Sequence, residues 1–256
     1  MANPESFQTR AQREMETYNE GLKRTTYNRV MAHADRLHAR KRDARAGEII
    51  ARAPHDRALE LGSRCWVKWL EAAGNFPSEF VCINISQREL NVGIEAARHT
   101  RLQPRFEIMD AHQLAFPDGH FDVVFGTGML HHLELERALG EIRRVLKPGG
   151  VMLFLEPQDN NPIGRIVRRL TPAARTEDEM PFVSSTLALL KRYFDCTFHF
   201  EQLAAVPVGV MSAFLFRDPD NVATRAAFSL DEWLLTAVPT LGPYARYVLV
   251  EGHKPA

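Results

Sequence analysis

An α/β fold, with a mostly parallel sheet covered by helices on both faces, is what this sequence predicts, and three observations carry the prediction. Apolar runs of strand length recur between residues 57 and 156, and stretches of helical period separate them. Continuously apolar strands alternating with helices mean a sheet buried on both sides. The third observation is size. At 256 residues, with 45% hydrophobic and 25% charged side chains, the chain can bury one large core and sits at the upper edge of a single α/β domain.

In chain order, residues 12–50 carry Tyr18, Leu22, Tyr27, Val30, Met31, Leu37, Ile49 and Ile50 among many Arg and Lys. With no strand-like alternation and no proline, they predict one or two amphipathic helices, a cap over residues 1–50 whose basic face is solvated. RAPHDR at 52–57 is the expected hinge into a main domain covering 51–256. Five strands are expected at RALEL (57–61), EFVCINI (79–85), RFEIMD (105–110), FDVVFG (121–126) and GVMLFLE (150–156). Helices fall between them at WVKWLEAAG, SQRELNVGIEAARH and LELERALGEIRRVLKPGG. Ser86, three residues before Glu89, predicts a capping box at a helix start. KPGG at 147–150 is expected to stop a helix, because proline cannot continue it and glycine accepts a left-handed turn. Beyond 156 the expected order is a solvated loop at 168–179, a helix at SSTLALLKRYF, a strand at CTFHFEQLAAV, a helix at FSLDEWLLTAV and a closing strand at YARYVLVEGHK.

Several function classes are disfavoured. Lys+Arg and Asp+Glu are both 32, and this balance offers no field to attract nucleic acid. Cys65, Cys82 and Cys196 form no C-x-x-C, which argues against a disulfide framework and a zinc site, so no metal is expected. The polar N-terminus does not resemble an export signal, and a cytoplasmic location is expected. The longest apolar stretch, 203–216, has about 14 residues against the roughly 20 of a spanning helix. That leaves only peripheral contact with a membrane.

Ligands in an open parallel sheet bind beyond the carboxyl ends of the strands, where strand order reverses. The positions to inspect are therefore Glu60 to Trp66, Asn84 to Ser86, Asp110 to His112, Gly126 to His132, and Glu156 to Asn161. A dinucleotide would need a G-x-G-x-x-G turn, and only Gly62 is present, followed by Arg64 and Trp66. A ligand without phosphates needs less of that loop. Trp66 and Trp69, three apart, are expected to pack together on one face of the next helix.

LELG, INIS, EIMDAHQLAFPDGHFDVVFGTGMLHHL and EIRRVLKPGGVMLFLEP together resemble the class I S-adenosylmethionine-dependent methyltransferases, in their bacterial small-molecule branch. The resemblance covers 57–156 and departs from the family at the first loop, which keeps one glycine where three are usual. It implies a Rossmann-like, seven-stranded, mostly parallel sheet with the last strand antiparallel, S-adenosylmethionine as cofactor, and an acceptor-binding insertion around 157–230. It further implies that Glu60, Gly62 and Ser63 meet the amino-acid end of the cofactor. Asn84, with Ile85 beside it, stands where a carboxylate grips the ribose in relatives, so that Asn84→Asp is expected to tighten binding. Asp110 and Ala111 would meet the adenine, and Gly126 and Thr127 the methionine part. His131 and His132 are the candidate proton acceptors, with Glu156 either orienting an imidazole or acting as base itself.

The function implied is methyl transfer to a small hydrophobic or aromatic metabolite, by a monomer or homodimer, with Phe214, Phe216, Phe228 and Trp233 as an apolar wall for the acceptor. Two readings from other classes stand beside it. One is a protein of this fold that no longer methylates, a scaffold or a cyclase-like catalyst, and the other is a nucleotide-dependent oxidoreductase.

Overall fold

The computed structural model describes residues 25–161, except 54, 55, 64, 65, 75 and 101, and residues 180–255, with 12, 15, 16, 165, 166 and 169 as isolated positions. The expected loop at 168–179, apart from 169, lies outside the described residues, as do Arg64 and the centre of the expected hinge. The elements run α1 (Thr25–Arg52), β1 (Arg57–Leu61), α2 (Trp66–Ala73), β2 (Glu79–Asn84), α3 (Gln87–Ala97), β3 (Arg105–Ile108), β4 (Phe121–Thr127), α4 (Leu135–Val145), β5 (Leu146–Pro157), α5 (Ser184–Tyr193), β6 (Asp195–Glu201), α6 (Ala205–Leu215), α7 (Val222–Ala237) and β7 (Tyr247–His253).

The seven strands are ordered β3-β2-β1-β4-β5-β7-β6. All neighbours pair parallel except β7, which runs antiparallel to both β5 and β6. The order reverses between β1 and β4, which opens the crevice where ligands of such sheets bind. Strand alternation splits the core in two. Leu59, Leu61, Val81, Ile83 and Val124 face α4 and α5, whereas Ala58, Cys82, Val123, Phe125 and Leu153 face α1 and α2. Both faces are therefore closed to water, as continuous apolar strands require.

Helix α1 is a single rod that buries Met31, Ala34, His38, Ala46, Ile49 and Ile50 at helical spacing. Two glycines bring it close to its neighbours. A Cβ on Gly47 would lie 2.6 Å from Ala72 in α2, and one on Gly209 in α6 would lie 2.6 Å from the Ala34 nitrogen. Ser86 caps α3 by accepting from the Glu89 N–H at 3.3 Å, as the S-x-x-E spacing predicts. Asp231, fully buried in α7, accepts from the N–H groups of Leu203, Ala204 and Ala205 and so holds the start of α6.

Three boundaries differ from expectation. Helix α4 ends at Val145, before KPGG, because Leu146 already pairs with Phe121, and β5 then runs on through a register shift and the left-handed Gly149 at φ 74°. Strand β6 stops at Glu201, since Gln202 takes φ 66° and cannot continue it. The apolar stretch after it is helix α6 rather than part of a strand.

Candidate functional site

At the end of β1, Glu60 is buried beside Cys82, whose Sγ lies 3.3 Å from its Oε2. Burial first, and then the Glu60 charge, push the Cys82 thiol well above its usual range, so the S–H donates to the carboxylate. Gly62 has φ 113°, donates its N–H to the Ile83 carbonyl at 2.8 Å, and faces Met129, whose Cγ would lie 2.9 Å from a Cβ placed there. Ser63 takes the left-handed region at φ 58°, and its Oγ donates to the Glu89 carbonyl at 3.3 Å. The Ser63 carbonyl would stand 2.6 Å from a Cβ on Gly93, so glycine in α3 is what lets this turn seat so low. Trp66 is fully buried in the α1/α2 core, edge-on to Phe80 at 5.9 Å between ring centres, and stays out of the crevice.

Asn84, at the end of β2, ties two loops together. Its Nδ2 donates to the Gly62 carbonyl at 3.1 Å and its Oδ1 accepts from the Ser86 N–H at 2.9 Å. Ile85 beside it is half-buried, and the Met109 N–H reaches the Asn84 carbonyl at 3.1 Å, which brings the end of β3 alongside.

There Asp110 Oδ1 accepts from the His112 N–H at 2.9 Å and from the His112 ring at 2.5 Å. The other ring nitrogen of His112 accepts from the Glu134 N–H at 2.9 Å, so the ring proton sits on Nδ1. Burial alone would raise the Asp110 carboxyl, but the hydrogen bonds from His112 outweigh it and hold this group below the usual carboxylate range. Asp110 Oδ2 accepts no hydrogen bond, and the Ala111 N–H donates none, among the described residues. An unspent acceptor and an unspent donor thus stand on adjacent residues just past the strand end.

Gly126 of β4 is buried, and a Cβ there would stand 2.6 Å from the Leu61 carbonyl and 2.9 Å from the Phe154 ring, so its smallness serves the sheet. Thr127 follows half-buried, and Gly128, at φ 63°, turns the chain into a 3-10 turn over Leu130–His132. Glu156, fully buried at the end of β5, anchors that turn. Its Oε1 accepts from the N–H groups of Met129 at 3.0 Å and Leu130 at 2.8 Å, and its Oε2 from the His131 N–H at 3.4 Å and His131 Nδ1 at 2.7 Å. In the neutral imidazole this contact places the His131 proton on Nδ1 and the lone pair on Nε2. The His132 ring lies 4.0 Å from that of His131.

The crevice therefore forms one connected row from Asp110 through Asn84, Gly62 and Met129 to His131 and Glu156. A profile of the methyltransferase-domain family matches residues 59–154, the span that contributes all but the last residue of this row. Residues 59–154 are thus a methyltransferase domain by family match, in agreement with the resemblance read from the sequence. The chain's similarity to curated relatives includes the ubiquinone/menaquinone biosynthesis C-methyltransferase UbiE of Bordetella avium, 39% identical over 93 residues, which are 35% of this chain and 33% of that protein. The chain thus spans about a third of that relative's length.

Among solved structures, a SAM-dependent methyltransferase from Thermotoga maritima matches over 96% of the present chain and 99% of its own, at TM-score 0.59 and 14% identity. The [4+2]-cyclase SpnF matches at TM-score 0.54 and 19% identity, over 84% of this chain and 81% of that one. At such identities these two likenesses concern the fold. Other structures of the fold hold S-adenosyl-L-homocysteine, and S-adenosylmethionine is the cofactor that goes with this family. An unspent carboxylate oxygen and the unspent N–H of the next residue are the acceptor and donor types that the edge of adenine, an amine beside a ring nitrogen, would require.

Of the site residues, His112 and Met129 lie inside windows that the sequence singled out but were given no role there, and Glu134 was not singled out. His112 alone had a local sign, the Asp-x-His spacing that lets a carboxylate and an imidazole meet across one turn. The expected apolar wall does not assemble, since Phe228 packs on His38 at 4.9 Å between ring centres while Phe214 and Trp233 are 82% and 63% exposed. Among the described residues no His/Cys/Asp/Glu group could hold a metal ion, and no helix is long and apolar enough to cross a membrane.

Proposed function

We propose that the protein transfers a methyl group from S-adenosylmethionine to a small-molecule acceptor, with the cofactor in the strand-end crevice and His131 on the acceptor side. The observation that carries this reading is that Asp110 Oδ2 and the Ala111 N–H, neighbours in sequence just past β3, make no hydrogen bond among the described residues. Asp110 takes the exocyclic amine of adenine and Ala111 donates to a ring nitrogen, while Ile85 covers the base. Asn84 Oδ1, with one lone pair given to Ser86, accepts a ribose hydroxyl. Gly62, Ser63 and Thr127 line the amino-acid half, above the buried Glu60.

The cofactor supplies a methyl group on a sulfonium, ready for in-line displacement. The residues supply mainly position, and alignment of an acceptor can contribute roughly 7–11 kcal/mol of the barrier. When the acceptor arrives protonated, His131 takes its proton at Nε2, because the Nδ1 proton is held by Glu156. Glu156, with both oxygens occupied and no exposure, orients that imidazole and is not itself the base.

A second reading, a catalyst of this fold that does not methylate, is favoured by Asn84. Its amide is spent on the Gly62 carbonyl where relatives carry a ribose-gripping carboxylate. Calorimetry with S-adenosylhomocysteine, S-adenosylmethionine and NAD tests the cofactor. Binding of the first two, silence with NAD, and at least a tenfold loss in Asp110→Ala are expected, and silence with all three refutes the assignment. Transfer of labelled methyl to extract metabolites then separates the two readings.

A further inference from the structure

Away from the strand-end crevice, α1, β6 and α7 enclose a second cavity of about 310 Å³, at the small end of small-molecule pockets. Its charged lining is three cations, Lys41, Arg42 and Arg45, against two carboxylates, Glu201 and Glu232. Lys41 pairs with Glu232, and Arg42 pairs with Glu201 and, at 3.4 Å, with Asp35. Arg45 has no carboxylate within ion-pair distance among the described residues. Its guanidinium donates to His199 Nδ1 at 2.7 Å, and the other His199 nitrogen meets Glu251 at 3.0 Å. An arginine cannot accept, so the imidazole is neutral at Nδ1 and gives the guanidinium only a lone pair.

Arg45 is thus a half-buried cation held by a neutral partner at the wall of a cavity, one helical turn from Lys41. Burial, and then the Arg45 charge, hold the Lys41 ammonium below its usual range. Burial likewise depresses His199, which keeps that imidazole uncharged. An anion between Lys41 and Arg45 would relieve this crowding and give the guanidinium the planar, two-pronged partner it suits. Leu235 and Pro239 on the same wall would take a short apolar remainder.

We infer that the cavity between α1, β6 and α7 binds a small molecule through a single oxyanion, a carboxylate or a phosphate, seated on Arg45 and Lys41. The site is separate from the proposed cofactor crevice. Titration of the full chain with inorganic phosphate and, in a second arm, butyrate, each with saturating S-adenosylhomocysteine present, tests it by calorimetry and by the 15N shift of the His199 ring. Saturable binding in at least one arm is expected, with movement of the His199 Nδ1 signal as Arg45 turns to the anion. The arm that binds more tightly names the oxyanion. Arg45→Gln should weaken binding about tenfold or more while leaving S-adenosylhomocysteine affinity unchanged, and Arg45→Lys, which keeps charge and folding, should fall between. No saturable binding of either probe at tens of millimolar, or equal binding by Arg45→Gln, would overturn the inference.

Discussion

Replacing Glu156 by Gln keeps the shape of the side chain and removes one thing, a second oxygen able to accept. The wild-type carboxylate takes four N–H donors, from Met129, Leu130, and the His131 backbone and ring. Whichever way the new amide turns, its NH₂ faces two of them. If it faces Met129 and Leu130, both backbone donors are stranded without water. If it faces His131, the imidazole can move its proton to Nε2 and accept at Nδ1, leaving only the longer 3.4 Å backbone contact unmet. The second arrangement costs less. Hydrogen bonds to a charged acceptor contribute about 1.5–3 kcal/mol each, and a buried unmet donor costs about 1–3 kcal/mol, so the net loss is roughly 2–4 kcal/mol. For a chain of this size that lowers Tm by roughly 5–15 °C. The tautomer change also removes the lone pair at Nε2, so kcat should fall by about two orders of magnitude for a protonated acceptor. Because Glu156 does not touch the adenine end, S-adenosylhomocysteine affinity should stay within about threefold. Calorimetric unfolding without cofactor, cofactor titration and single-turnover rates read these three quantities. A Tm within a degree or two of wild type would refute the account of Glu156 as the anchor of the 129–132 turn.

Gly93→Ala sets a Cβ 2.6 Å from the Ser63 carbonyl and 2.8 Å from the Phe106 ring. The turn at 62–63 must lift, at a cost of about 1–3 kcal/mol in stability, and S-adenosylhomocysteine titration should show at least tenfold weaker binding. Asn84→Asp trades the amide bond to the Gly62 carbonyl for two oxygens in repulsion. Cofactor-free stability should drop by about 1–2 kcal/mol, while the thermal shift produced by S-adenosylhomocysteine grows through charge-assisted ribose contacts; an unchanged or smaller shift would remove Asn84 from the ribose. The depressed Asp110 carboxyl stabilises the fold above the ordinary carboxylate range, and that contribution fades as pH falls through its lower folded value. Urea midpoints of wild type and Asp110→Asn should therefore differ by a constant amount at neutral pH and converge below about pH 4.

Much of the frame was legible because strand periodicity and helix caps are local. RALEL is β1 residue for residue, and Ser86 announced α3 through its hydroxyl alone. The parallel crossovers then placed the ends of β1 to β5 along one rim, which is why Asn84, Asp110 and Glu156 could be named before their neighbours were known. Contacts made across the chain left no such sign. That position 126 excludes a side chain has a cause no short window shows, the Leu61 carbonyl and the Phe154 ring packed against it. Glu156 reaches a turn 25 residues earlier, and Arg45 meets His199 across 154 positions. Both depend on how layers stack, and stacking is written in no short window. The helix after Glu201 was hidden for a different reason, since an apolar run of that length suits a strand or a helix until the left-handed Gln202 breaks the pairing.

The two glycine crossings on α1 have a mechanical meaning. With Ala72 pressed on Gly47 and Ala34 pressed on Gly209, neither contact has slack to absorb a slide, and the two lie 13 residues apart on one continuous helix. A bulkier residue at Gly209 would therefore have to displace α1 as a body, and the neighbour that the displaced helix meets at Gly47 is α2, just downstream of the turn that carries Gly62.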